Sequence, residues 1–194
     1  MSLASSPDDS NWAETKKRLD AHRVNKIHRV KHNLHKLPQG PAIMQYLASG
    51  KFDGAKNLKG LLLNLKKKDM VPEASASLAE ADRLLSAGCT DLYFEDNTNG
   101  DVDVGALTST GESVAAQVKT TTMTRRATGL RTTIKKALRQ LRSVPATHKI
   151  IVFHFFDGSG TIFDTKFRKT LEKFRLPSNT QIRIVYPDSS HEFI

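Results

Sequence analysis

The pattern of apolar and polar positions changes character at Pro72. Before it, apolar residues are sparse and helically spaced. Trp12, Leu19, Ile27, Val30, Leu34 and Leu37 thread a dense series of Lys, Arg and His. One narrow stripe at that period predicts a single long helix with one buried edge, stopped by Pro38, Gly40 and Pro41. Ile43 to Leu47 predicts a short helix. Ala55, Leu58, Leu61, Leu62 and Leu65 predict another, with Lys66 to Lys68 where cations suit the negative end of the helix dipole.

Beyond Pro72 the period alternates between helix and strand. Ser75 to Ala87 reads as a helix stopped by Gly88, and Thr90 to Phe94 as a strand. Asp96 to Gly100 is turn chemistry. Asp101 to Leu107 and Ser113 to Lys119 each alternate strictly about the short connection Thr108 to Glu112, the mark of a β-hairpin. Leu130, Ile134, Leu138 and Leu141 mark an amphipathic helix. Lys149 to Phe156 is nearly all apolar, as in a strand buried on both faces. Phe163 to Leu176 reads as a helix and Gln181 to Tyr186 as a last strand. The order α-β-β-β-α-β-α-β predicts an α/β fold: a mixed central sheet flanked by helices. A helical segment at 1–70 precedes a second segment at 71–194.

Charge adds a partner to this picture. The chain of 194 residues has 30 Lys and Arg against 20 Asp and Glu, a net of +10. Residues 1–70 hold fourteen of the cations and six of the acids, so most of the excess lies in the helical leader. Such an excess favours a polyanionic partner, nucleic acid or an acidic protein. A lone cysteine, Cys89, excludes an intrachain disulfide, reads as a small buried hydrophobe, and fits action in a reducing cytoplasm. No apolar run approaches the ~20 residues of a membrane-spanning helix. Met1 to Ser10 lacks the basic start and apolar stretch of a signal peptide. Another segment or machine is therefore expected to carry the protein if it leaves its cell.

The candidate chemistry sits on the hairpin. Its even positions, Val102, Val104, Ala106, Val114, Ala116 and Val118, form one core-facing surface. The odd positions include Asp101, Asp103, Gln117 and Lys119. A turn symmetric about Thr110 sets Asp103 opposite Gln117 and Asp101 opposite Lys119, with Cβ atoms about 5 Å apart. A carboxylate and an amide oxygen are hard ligands for Mg²⁺ or Mn²⁺. Beside them a lysine can orient water or neutralise charge developing on a phosphate. An ordinary solvated face with a cross-strand ion pair has the same spacing. The basic helix and doubly buried strand that follow favour a cleft.

Val102-Asp103-Val104-Gly105-Ala106-Leu107, a short turn, then Val114-Ala115-Ala116-Gln117-Val118-Lys119 resembles the core motif of the PD-(D/E)xK nucleases. The likeness is to archaeal Holliday-junction resolvases and to nuclease toxins of bacterial contact-dependent inhibition systems, and it spans about Ser75 to Tyr186. It implies a restriction-endonuclease-like core in 71–194, metal ligation by Asp103 and Gln117, and catalytic assistance by Lys119. Many members add an acidic residue from the preceding helix, for which Glu80 is the best match and Glu73 the alternative. Two positions depart from the motif: Gln117 stands where a glutamate is usual, and Val102 where a proline is. The amide keeps an oxygen ligand but loses a charge.

The resemblance implies a metal-dependent endonuclease acting on DNA or RNA, tRNA among them, with Mg²⁺ or Mn²⁺ as cofactor and Zn²⁺ as an alternative. The basic leader and C-terminal nuclease resemble the toxic tip of an interbacterial effector. A toxin implies delivery within a secreted effector to a target cytoplasm, and a small acidic immunity protein in the producer. A repair or restriction nuclease, or a catalytically dead nucleic-acid-binding module, are the other readings.

Arg131, Lys135, Lys136, Arg139 and Arg142 lie opposite the apolar stripe of their helix with no acidic partner on it, as a solvated face or a phosphate track. Arg125 and Arg126 are further candidate substrate contacts. His28, His32 and His35 share a helix face, but the cationic surroundings and lack of cysteine argue against zinc.

Overall fold

A computed structural model describes residues 7–96, 102–121, 127–156, 168–188 and 190–193. The helices are α1 (Pro7–Ala21), α2 (Ile27–Lys36), α3 (Gly40–Ala48), α4 (Leu58–Asn64), α5 (Val71–Ser86) and α6 (Ala127–Arg142). The strands are β1 (Thr90–Asp96), β2 (Val102–Leu107), β3 (Ser113–Thr121), β4 (His148–Phe155), β5 (Thr180–Val185) and β6 (His191–Phe193). They form one six-stranded sheet in chain order. β1, β2 and β3 pair antiparallel, β3, β4 and β5 parallel, and β6 closes the far edge antiparallel.

Alternation decides the layers. Val104, Ala106, Val114, Ala116, Val118, Ile150, Val152 and Val185 join one core with residues of α1 to α5. Ala115, Ile151, Phe153, Phe155, Ile182 and Ile184 join a second with Ile134, Ala137 and Leu141 of α6. β4 thus buries both faces, which its near-continuous apolar run foretold. The α/β class and the element order hold. The leader also contributes Leu19, Leu34, Leu47 and Leu61 to the first core, so both segments share it.

Four expectations need correction. Val102, expected on the same surface as the other even positions of the hairpin, packs in the second core with Ala115, because the β2–β3 ladder ends at Val104. The predicted helix from Trp12 to Leu37 is two helices, because Arg23 and Lys26 adopt left-handed backbone at φ 53° and 56°. Val24 falls about 110° off the centre of the stripe of a continuous helix; the turn brings it into the core. Pro72 begins α5 rather than preceding it, since proline at the first helical positions gives up no intrahelical bond. β6 was not foreseen, being only three residues long. Of the predicted helix Phe163 to Leu176, residues 168–171 are helical and the part before them lies outside the described residues.

Candidate active site

The hairpin forms in the expected register. Leu107 pairs with Ser113 and Val104 with Ala116, a ladder symmetric about Thr110 that carries Asp103 to a place opposite Gln117. There the main-chain pairing stops. The Asp103 carboxylate takes over as acceptor: its Oδ2 receives the Val118 N–H at 2.6 Å and the Gln117 side-chain N–H. Lys119 Nζ lies 3.8 Å from the same oxygen. Asp101, expected opposite Lys119, is outside the described residues, as are Arg125 and Arg126.

This polar face is not a solvated one. Gln117 is 1% exposed, and the Asp103 and Lys119 side chains are 17% and 16% exposed. Next to them Gly105 lies under the Tyr93 ring, where a Cβ would stand 2.0 Å from a ring carbon. Burial raises the Asp103 carboxyl to about 6, and Glu73 adds repulsion. The Lys119 ammonium and the hydrogen bonds from Val118 and Gln117 oppose that rise. The amide oxygen of Gln117 is buried and has no hydrogen-bond partner. A buried acceptor left unpaired costs about 1–3 kcal/mol, a cost that a hydrogen-bond donor or a cation at this position would remove.

The structure brings Glu73, not Glu80, to this group. Glu73 in the first turn of α5 shares a pocket of about 200 Å³ with Asp103 and Glu95. The pocket adjoins the N-terminal end of α5, where the helix dipole favours negative charge. Glu80 lies two turns away, about 10 Å along the helix. It is 0% exposed and ion-paired with Arg83 at 2.8 Å and with buried Arg183 of β5. Burial pulls the Arg183 guanidinium down to about 10, which leaves it charged at neutral pH. Glu80 therefore holds α5 to the sheet.

Glu95 is a pocket carboxylate that the sequence reading missed. It adopts left-handed backbone at φ 47°. Its Oε1 accepts from Asn64 Nδ2 at 2.6 Å. Asn57 Nδ2 donates to the Phe94 and Glu95 carbonyls, each at 2.9 Å. A Cβ on Gly60 would lie 3.0 Å from Glu95 Oε2. Asn57, Gly60 and Asn64 thus form a polar side of α4 shaped to one carboxylate, and that spacing is the signal in the sequence. Burial raises the Glu95 carboxyl, Glu73 adds to the rise, and Asn64 and Lys67 counter it.

Arg131, Lys135, Lys136, Arg139 and Arg142 are all exposed on α6. His28, His32 and His35 are exposed on α2. Among the described residues no three His, Cys, Asp or Glu side chains converge on a point that could hold a cation. Asp103 and the Gln117 oxygen could together hold only an ion that keeps much of its water. Mg²⁺ is commonly bound that way, through one or two protein oxygens with water or substrate phosphate completing its shell.

No family model and no curated protein matches the chain. Among solved structures, a chain of a CdiA-CT/CdiI toxin and immunity complex from Burkholderia pseudomallei is similar at 15% identity. The alignment covers 62% of this chain and 83% of that one, with a TM-score of 0.39, a weak likeness. Among the described residues, no helix is long and apolar enough to cross a membrane.

Proposed function

We propose that the chain is a divalent-metal-dependent nuclease whose site is Asp103, Gln117 and Lys119, with Glu73 as the acidic residue from the preceding helix. The observation that carries this reading is the buried, unpartnered amide oxygen of Gln117 beside a carboxylate and a lysine on one sheet face. Asp103 and Gln117 would hold the ion. When bound, Mg²⁺ or Mn²⁺ supplies positive charge at the scissile phosphate and acidifies water.

The chain's own residues do the remaining work. Val118 N–H and Gln117 fix the Asp103 carboxylate in one orientation. Lys119, tethered near Asp103, offers its ammonium to the non-bridging phosphate oxygen on which charge builds. The exposed cations of α6, Arg131, Lys135 and Arg139 first among them, bind the backbone on either side. Arg125 and Arg126 would extend that contact.

The test is cleavage of plasmid DNA and of tRNA by the purified chain, with Mg²⁺, with Mn²⁺ and with excess EDTA, beside Lys119→Ala. Metal-dependent cleavage lost in the variant supports the reading. Cleavage undiminished in EDTA overturns the metal, and undiminished cleavage by the variant overturns the site. The uncharged Gln117 favours one other reading, a nucleic-acid-binding module without activity, which the same assay separates by binding without cleavage.

The resemblance of the hairpin to contact-dependent inhibition nucleases supports a toxin domain, which needs a tightly bound inhibitor in its producer. Complementarity to a chain of net charge +10 makes that inhibitor a small acidic protein. Growth arrest on expression of the chain, relieved by a co-purifying acidic partner, supports this. Normal growth with active enzyme alone favours a repair or restriction nuclease.

A further inference from the structure

Between Asp20 and Asp53 the chain contains no acidic residue, and α2 lies within that stretch. The helix buries Val30, Asn33 and Leu34. Its opposite arc exposes Arg29, Lys31 and Lys36 with His28, His32 and His35. On the neighbouring α1, Lys16, Lys17 and Arg18 all pair with carboxylates. The three cations of α2 have no such partner among the described residues. Lys31 Nζ sits 5.5 Å over the Trp12 ring, and His35 meets that ring edge-on at 6.0 Å, so a half-buried aromatic flanks the arc. Solvated helix faces usually carry both signs, and this one carries only positive charge. An unmixed face is one that a polyanion completes.

The buried side of α2 and the turn before it are tied to the segment that leads to the pocket. Asn33 Nδ2 donates to the Leu65 carbonyl at 2.9 Å, and Lys66 Nζ to Asn25 Oδ1 at 2.8 Å. The chain then runs through Lys67 and Lys68 to Met70 at the pocket wall, and the Lys67 charge acts on Glu95 inside it.

We propose that the outer face of α2, continued by Lys66–Lys68, is a track for the backbone of a nucleic acid whose scissile phosphate lies in the pocket. That the polyanion is nucleic acid rests on the nuclease reading above. Ten residues of helix extend about 15 Å, which matches about four phosphates at 3.4 Å per nucleotide along a duplex strand. Contacts of this kind go to phosphate, so the track adds affinity without sequence preference.

The experiment uses the full chain carrying Lys119→Ala, so that the probe survives. Binding of a fluorescein-labelled 20-nucleotide RNA and of a DNA duplex of equal length is followed by anisotropy from 50 to 200 mM salt. Arg29→Gln/Lys31→Gln/Lys36→Gln is expected to weaken binding of at least one probe tenfold or more. The log–log salt slope should fall by about 2 to 3, at 0.7 to 0.9 per phosphate contact. All three side chains are exposed, so the thermal midpoint should not change. Lys169→Gln/Lys173→Gln/Arg175→Gln removes the same charge beside Leu171 and Phe174, which pack on the other face of the sheet. It should change affinity less than threefold. Equal weakening by both triples reduces the effect to net charge and overturns the proposal. So does an unchanged affinity in the α2 triple, the result expected if this face serves an acidic protein instead. A parent chain that binds neither probe overturns the nuclease reading as well, so the two failures are distinct.

Discussion

Asp103→Asn should make the metal-free protein more stable and inactive. The folded carboxyl sits at about 6 against an ordinary 3.8, raised mainly by burial. The sign follows from proton linkage: a carboxyl whose pKa is raised by folding binds more protons folded than unfolded. The folded state therefore carries no penalty below pH 3.8, a growing one up to about 6, and a constant one above. About two units at 1.36 kcal/mol each give roughly 3 kcal/mol at neutral pH, less some relief from water at a side chain 17% exposed. Asparagine keeps both hydrogen bonds through one oxygen, since the Val118 N–H and the Gln117 amide donate to the same atom. The assay is urea unfolding in EDTA at pH 7.5 and pH 4.5. The variant should gain about 2 kcal/mol more at the higher pH, equivalent to roughly 4–8 °C in melting temperature for a chain of this size. Mg²⁺ at about a thousand times its Kd should then reverse the order, because it stabilises by about 4.1 kcal/mol the protein that binds it. A variant less stable than the parent at pH 7.5 without metal, or an effect independent of pH, would refute the idea that this carboxylate is held against its burial.

Lys119→Ala should lower cleavage at least about a hundredfold, and so should Lys119→Gln, which keeps most of the volume of this largely buried side chain and should leave the circular dichroism spectrum unchanged. Gln117→Glu should tighten Mg²⁺ binding in titration calorimetry and lower the melting temperature in EDTA, since it sets a second carboxylate beside Asp103. Gly60→Ala should raise helix propensity by up to about 1 kcal/mol and still lower kcat, because its Cβ meets the Glu95 carboxylate; unchanged kcat would remove Glu95 from the site. His154, drawn down to about 4 by burial, is neutral when folded and protonates more readily when unfolded. Its contribution is complete above pH 6.5 and lost on acidification toward pH 4, so His154→Leu should lower the midpoint of acid unfolding.

How much was legible in the sequence depended on which distances set each feature. The hairpin register was readable because a two-residue period and a short loop fix it locally, and Asp103, Gln117 and Lys119 meet as the alternation requires. The layers around β4 were readable from its apolar run. The choice between Glu73 and Glu80 was not. The two lie seven residues apart on the same side of α5, so helical periodicity treats them alike. Arg183, about a hundred residues later on β5, separates them by claiming Glu80. Glu95 was hidden for the same reason, because its role depends on α4, which lies before it in the chain and packs against β1. The break between α1 and α2 rests on two residues in left-handed backbone, neither of them glycine.

Glu80 and Asp103, both held largely out of water, show two ways of keeping a carboxylate inside a fold. Glu80 and Arg183 are both almost wholly out of water, and each neutralises the other while Arg83 takes up a further lone pair. That pairing balances the two charges, although Arg183 Nε is buried without a hydrogen-bond partner, and truncating either residue would strand a buried charge at a cost of about 3–5 kcal/mol. Around Asp103 nothing is complete. Its ammonium partner stands at 3.8 Å, beyond hydrogen-bond range. Glu73 adds repulsion instead of relief. Gln117 spends its donor on Asp103 and leaves its oxygen unpaired, and Glu95 is held by a backbone conformation that a non-glycine residue rarely takes. Each of these features costs stability, and they lie together at the end of the sheet where the β2–β3 ladder stops. A bound cation would answer three of them at once, by neutralising Asp103, ligating the Gln117 oxygen and offsetting the charge of Glu73. Unpaired buried atoms also occur at Arg183 and His154, so it is the gathering of Asp103, Glu73 and Gln117 at one end of the sheet, and not a single unpaired atom, that supports the proposed metal site.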